Sequence, residues 1–130
     1  MEKEMYINGL QHIGIPTERM EDSIAFYGDL GFNEIYKLYY KPKEQWICFM
    51  ELGGLMIELY EEKGNAVDGA INHFSLNCLD IHKEYARIAT LGYQVISDGI
   101  EDMDIWTNGV KFFIISGPNR ERIEFCQRLN

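Results

Sequence analysis

The chain has 130 residues, 46% of them hydrophobic and 13% aromatic, enough apolar material for one packed domain and too much for a disordered chain. A formal net charge of −9 excludes the basic footprint of a protein that binds nucleic acid or an anionic membrane surface, so neither is expected as a partner. Its apolar runs are strand-length, well short of the ~20 residues of a spanning helix. The opening Met1-Glu2-Lys3-Glu4-Met5-Tyr6 lacks the basic-then-apolar order of a secretory signal, so a cytoplasmic protein is expected.

In chain order, residues 9–15 read as a strand, and Thr17 or Glu18 precedes a helix whose apolar stripe is Met20, Ile24 and Tyr27 at i, i+4 and i+7. Gly31 stands where a left-handed helix stop favours a residue without a β-carbon. Strands follow over 32–40, 46–52 and 55–61, the last two joined by a Gly53-Gly54 hairpin turn. Residues 62–69 form a polar loop with two glycines, an internal linker rather than a domain boundary. A strand over 71–79 leads to Asp80, a good N-cap, and to a second helix with the stripe Ile81, Tyr85 and Ile88, ended by Gly92. Strands are then expected over 93–97, within 105–116, and over 122–127 after a Gly117-Pro118-Asn119 turn.

This order is a repeat. His12 and Leu30-Gly31-Phe32 return 61 positions later as His73 and Leu91-Gly92-Tyr93, and both helix stripes obey the same offset without a gap. The chain is therefore expected to be a single domain, 1–130, built from two βαβββ modules over about 7–61 and 70–128. Three antiparallel strands and one helix bury too little alone, so each module needs the other. The expected class is α+β, with the modules forming a curved eight-stranded mixed sheet that encloses a cup, helices on the convex side and a ligand site in the concavity.

Side chains alternate across a strand, so residues can be sorted by face. Gln11, Ile13 and Ile15 share one face, opposite Leu10, His12 and Gly14; Phe74, Leu76 and Cys78 oppose Ile71, His73, Ser75 and Asn77. Ile57-Glu58-Leu59 and Ile123-Glu124-Phe125 each set one carboxylate between two core residues, Met56 and Tyr60 accompanying Glu58, and Arg122 and Cys126 accompanying Glu124. A lone strand histidine is more commonly structural, and a lone strand glutamate is usually solvated. Recurrence of both favours a metal site of His12, Glu58, His73 and Glu124, two nitrogens and two oxygens suited to divalent Ni, Co, Mn, Fe or Zn with open positions. Cys48, Cys78 and Cys126, odd in number and set among apolar neighbours, read as reduced core thiols. His82 lies off the helix stripe and reads as a surface residue. The glycine turns do not open helices and so are not phosphate loops, and no nucleophile triad is suggested.

The pieces His12-Ile13-Gly14-Ile15, Ile24-Ala25-Phe26-Tyr27, Leu30-Gly31-Phe32, Ile57-Glu58-Leu59, His73 and Gly117-Pro118-Asn119 with Arg122-Ile123-Glu124-Phe125 resemble the vicinal oxygen chelate superfamily across essentially the whole chain. That superfamily includes glyoxalase I, methylmalonyl-CoA epimerase, fosfomycin-resistance proteins, extradiol dioxygenases and bleomycin-resistance proteins. The ligand order His-Glu-His-Glu looks like bacterial metal-activated glyoxalase I, a carbon–sulfur lyase (lactoylglutathione lyase). The resemblance implies a metal-dependent lyase or isomerase acting on a small oxygenated molecule. Two adjacent substrate oxygens would chelate the metal, a cis-enediolate would be stabilised, and a carboxylate would move the proton, Glu124 as base with Glu58 as its partner. It also implies a homodimer. Glyoxalase I typically has arginine where Pro16 stands and asparagine where Glu62 stands; both changes remove a partner for glutathione, which argues against glutathione itself. An acyl-CoA epimerase-type isomerase is the alternative enzyme, though an amide often stands at the Glu58 position there. A non-enzymatic, ligand-sequestering resistance protein is the alternative binder, though such members usually lose the metal ligands. A dioxygenase triad keeps one carboxylate only and ranks lower.

Overall fold

The first helix, α1 (Met20–Asp29), buries Met20 and Tyr27 and half-buries Ile24, the stripe its periodicity marks out, and adds Ser23 and Phe26 to the same face. The computed structural model describes residues 6, 10–63 and 71–130, and the chain divides into two compact units, Met1–Gly64 and Asn65–Asn130. The expected linker over 62–69 lies mostly outside the described residues, as do the first residues expected of each module and of the first strand. No helix among the described residues is long and apolar enough to cross a membrane.

In the first unit α1 follows β1 (Ile13–Thr17) and precedes β2 (Asn33–Tyr40), a short 3-10 turn at Lys41–Lys43, β3 (Gln45–Leu52) and β4 (Leu55–Glu61). The sheet order is β1-β4-β3-β2, with β1 parallel to β4 and the other pairs antiparallel. The β1–α1 crossover makes that parallel pairing possible. β1 begins later and ends later than its apolar alternation suggests, running through Pro16. Within this sheet it has one neighbour, so a missing N–H is tolerated. Ile57 and Leu59 from β4, with Cys48 and Met50 from β3, are fully or nearly fully buried on the face that α1 covers. Burying each such side chain contributes on the order of 1.5–3 kcal/mol.

No side chain of the residue at the N-cap, Arg19, closes the helix. Instead the buried Thr17 accepts the Arg19 N–H at 2.9 Å and shares a 2.9 Å hydroxyl–hydroxyl bond with buried Ser23. Past the other end, Gly31 has φ +107°, a region that excludes most side chains, and its counterpart Gly92 has φ +81° at the C-cap of the second helix.

The second unit repeats the plan: β5 (Phe74–Asn77), α2 (Ile81–Leu91), β6 (Gln94–Val95), β7 (Glu101–Met103), β8 (Val110–Ser116) and β9 (Arg122–Arg128). Asp80 caps α2 by accepting the Lys83 N–H at 3.1 Å, and Ile81 and Ile88 are fully buried. β5 runs parallel to β9, which pairs antiparallel with β8. Among the described residues there are nine strands in two sheets, of four and five, against an expected eight. The extra strand arises because β6 and β7 share the same edge of β8. Between them the Ser97 hydroxyl takes the Ile114 N–H that a backbone carbonyl would otherwise accept, and donates to the Gly99 carbonyl. A side chain has entered the ladder, the chain turns, and pairing resumes at Glu101 opposite Phe112.

Candidate metal centre

The two proposed carboxylate ligands follow from strand alternation. In β4, Ile57 and Leu59 are fully buried on the helix side, which turns Glu58 to the opposite face; in β9, Ile123 and Phe125 do the same for Glu124. Phe74, Leu76 and Cys78 are buried or half-buried while Ile71, His73, Ser75 and Asn77 are exposed, as the alternation requires.

In the first unit the parallel register sets Gly14 opposite Glu58, and His12 lies two residues before Gly14. Its Nε2 comes 3.5 Å from Glu58 Oε1, with 35% and 24% of the two side chains exposed. That separation is longer than a hydrogen bond. Two donors bound at ~2.0–2.2 Å to one ion, at angles between square and tetrahedral, stand roughly 3–3.5 Å apart. The pair therefore fits two coordination positions of one divalent ion. A β-carbon at Gly14 would make ordinary van der Waals contact with the Tyr60 ring at 3.4 Å and with Glu58 Oε1 at 3.8 Å, so this position lies directly beside the carboxylate. Burial, followed by the charges of Glu62 and Glu58, raises the Tyr60 phenol above its ordinary range.

Aromatic side chains border the pair. Phe49 on β3 faces Glu58 across the ladder and presents its ring edge-on to His12 at 5.7 Å, while Tyr36 on β2 stacks on Phe49 at 6.3 Å. Sequence alternation places Tyr60 beside Glu58. It does not give Phe49 and Tyr36, because they arrive through the register of two further strands. Residues flanking the histidines were also unrecognised as part of the site: Gln11 Oε1 is bonded to His12 Nδ1, and Asn72 Oδ1 lies 2.9 Å from His73 Nδ1. The alternation of residues 9–15 assigns Gln11 to the helix side with Ile13 and Ile15; lying before β1, it is exposed and turns to the histidine.

In the second unit Ser75 occupies the register position of Gly14, opposite Glu124, and Ile114 occupies that of Phe49. The backbone thus repeats the relation of histidine to glutamate. Among the described residues, His73 and Glu124 form no ion pair with each other, and no group of three or more His, Cys, Asp or Glu side chains is arranged to hold an ion. The carboxylate on the last strand of each unit and the histidine before its first strand remain the repeated candidate donors.

The remaining candidates behave as their surroundings dictate. His82 is exposed on α2. Cys48 and Cys78 are buried, Cys126 is half-buried, and all three are free thiols. Burial pushes the Cys48 thiol up to about 11, with the neighbouring Glu34 charge adding to it.

Similarity to known proteins extends over nearly the whole chain. Residues 9–125 match the family model of the Glyoxalase/Bleomycin resistance protein/Dioxygenase superfamily. YwbC of Bacillus subtilis (strain 168) is 28% identical over 126 residues, 92% of this chain and 97% of that protein. A glyoxalase family protein from Enterococcus faecalis superposes with a TM-score of 0.77 at 16% identity, covering 94% of this chain and 99% of the other. The fosfomycin resistance protein FosX from Listeria monocytogenes, complexed with Mn(II) and sulfate, gives a TM-score of 0.75 at 18% identity, covering 95% and 94%. With the duplicated β–α–β plan and a family match over nearly its full length, the chain belongs to the Glyoxalase/Bleomycin resistance protein/Dioxygenase superfamily.

Proposed function

We propose that this protein is a metal-dependent lyase or isomerase, glyoxalase-like, in which His12, Glu58, His73 and Glu124 supply the ligands of one divalent ion. The observation that carries the reading is the His12 Nε2–Glu58 Oε1 pair, together with the register that repeats it: Gly14 opposite Glu58, Ser75 opposite Glu124. Mn(II) in the complex of FosX, a fold neighbour, supports a divalent ion as the kind of cofactor. Ni, Co, Mn, Fe and Zn all suit two imidazoles and two carboxylates. When bound, the ion supplies positive charge beside two neighbouring oxygens of the substrate.

The chain's own groups do the rest. Glu124 accepts a proton from the carbon bearing sulfur and hydroxyl in a hemithioacetal and returns it to the adjacent carbonyl carbon, while the hydroxyl proton passes to that carbon's oxygen, so a hydroxy thioester forms and no oxidant or reductant is consumed. Glu58 is the second carboxylate at the reacting unit. Phe49, Tyr36 and Tyr60 line its approach with apolar surface. Pro16 and Glu62 offer no cation to a glutathione carboxylate, so another thiol, or a different small oxygenated substrate, is preferred. A single domain acting on small molecules as a homodimer completes the reading, and sedimentation would check the assembly.

The test is metal content after purification without chelator, followed by turnover of methylglyoxal with a panel of thiols. Stoichiometric metal, lost in His73→Ala, and turnover lost in Glu124→Gln with metal retained are the expected results. Metal bound but every thiol inactive would reject the glyoxalase chemistry. No uptake of any of the five metals would reject the enzyme in favour of a ligand-sequestering protein.

A further inference from the structure

We propose that Gln11 and Asn72 are positioning residues that hold His12 and His73 in the tautomer whose Nε2 carries the lone pair. The inference rests on the metal reading above and assigns a role to two residues outside its ligand set. The chemistry begins with the amide oxygen, which has no proton and can only accept. Gln11 Oε1 on His12 Nδ1, and Asn72 Oδ1 at 2.9 Å from His73 Nδ1, therefore require a proton on Nδ1 in both rings. A neutral imidazole has one ring proton, so Nε2 is left as the donor atom. In the first unit that is the atom facing Glu58 Oε1 at 3.5 Å. Metal-binding histidines commonly depend on such a partner at the other nitrogen, which sets both tautomer and ring orientation.

Two features separate this from an incidental surface contact. The amides sit at equivalent places in both units, each immediately before its histidine, as glutamine in one and asparagine in the other, with different stem lengths but the same acceptor. Both also precede the first hydrogen-bonded residue of their strand, Ile13 or Phe74. Neighbouring side chains are not yet forced to opposite faces there, so residue i−1 can turn back to the ring. The third histidine, His82, follows Ile81, whose side chain has no acceptor. An unassisted neutral histidine side chain favours the proton on Nε2, the tautomer that blocks coordination through that nitrogen. The two amides reverse this preference before any ion arrives.

The experiment uses the full chain with nitrogen-15-labelled histidine. Correlation spectra of the metal-free protein, at a pH where the rings are neutral, read the tautomer directly. Calorimetric titration with Ni(II) or Mn(II) reads affinity. The wild type should show His12 and His73 protonated at Nδ1. Gln11→Leu should move His12 alone to the Nε2–H form, Asn72→Leu should move His73 alone, and each should weaken metal binding by roughly 10–100-fold. Gln11→Glu keeps an acceptor oxygen and should restore the His12 tautomer. A wild-type His12 already protonated at Nε2, or a tautomer unchanged by Gln11→Leu, overturns the proposal. A wild-type protein with the expected tautomers that binds neither ion overturns the metal reading and the role built on it, and the spectrum distinguishes that failure from the first.

Discussion

Replacing Thr17 by valine tests the device that joins the end of β1 to the start of α1. The side chain is fully buried and nearly isosteric with valine, so little packing is lost. Its hydroxyl, however, serves both the Arg19 N–H and the Ser23 hydroxyl, each at 2.9 Å. Leaving this part-buried N–H without an acceptor costs about 1–3 kcal/mol. Thr17→Val should therefore destabilise the protein by about 2 kcal/mol, with the urea midpoint lowered and the m-value unchanged. Ser23→Ala removes the hydroxyl bond to Thr17 and leaves the Arg19 N–H satisfied, so a loss of at least about 0.5–1.5 kcal/mol is expected. The double variant loses the shared hydroxyl bond once rather than twice, and the cycle should show a coupling of about 0.5–1.5 kcal/mol. Additivity within about 0.3–0.5 kcal/mol would refute the reasoning, because independent sites add.

Other perturbations separate local from tertiary contributions. Asp80→Ala removes the cap on Lys83 N–H and should cost about 1 kcal/mol by thermal unfolding, whereas Arg19→Ala, at an N-cap without a side-chain bond, should leave that helix end unaffected. Phe113 is fully buried, stacked on Phe125 at 4.6 Å and edge-on to Tyr85 at 5.1 Å, so Phe113→Ala should cost about 3–5 kcal/mol in urea unfolding. Cys48 ionises only near 11 when folded, against 9.0 as its ordinary value. The unfolded chain therefore releases that proton first, and the thiol's contribution to stability is fully present below about pH 9 and is lost as pH rises toward 11. Cys48→Ala should flatten that alkaline decline, measured as unfolding free energy against pH; an unchanged slope would show that this thiol is not its source.

The duplicated plan was legible because it depends on local periodicities. A strand repeats every two residues and a helix every 3.6, so Ile57-Glu58-Leu59, Ile123-Glu124-Phe125 and both helix stripes show their buried side without reference to distant residues. Gly31 and Gly92 mark helix ends for an equally local reason, their positive φ. The candidate donors emerged because each half returns one His and one Glu on matching strands, the histidines 61 positions apart and the glutamates 66. The division of the β8 edge between β6 and β7 was not legible, since it turns on one hydroxyl at Ser97 reaching a backbone N–H in a strand well removed in sequence.

Sequence alone thus determined the fold class, the two-fold repeat and the side of each strand on which His12, Glu58, His73 and Glu124 could be sought. Tertiary structure decided which atoms meet: Gly14 opposite Glu58, Phe49 edge-on to His12, and Gln11 turned back onto the imidazole. Alternation is a property of neighbouring dihedrals, whereas register and side-chain contact depend on hydrogen-bond ladders between strands far apart in the chain, and no local pattern specifies those.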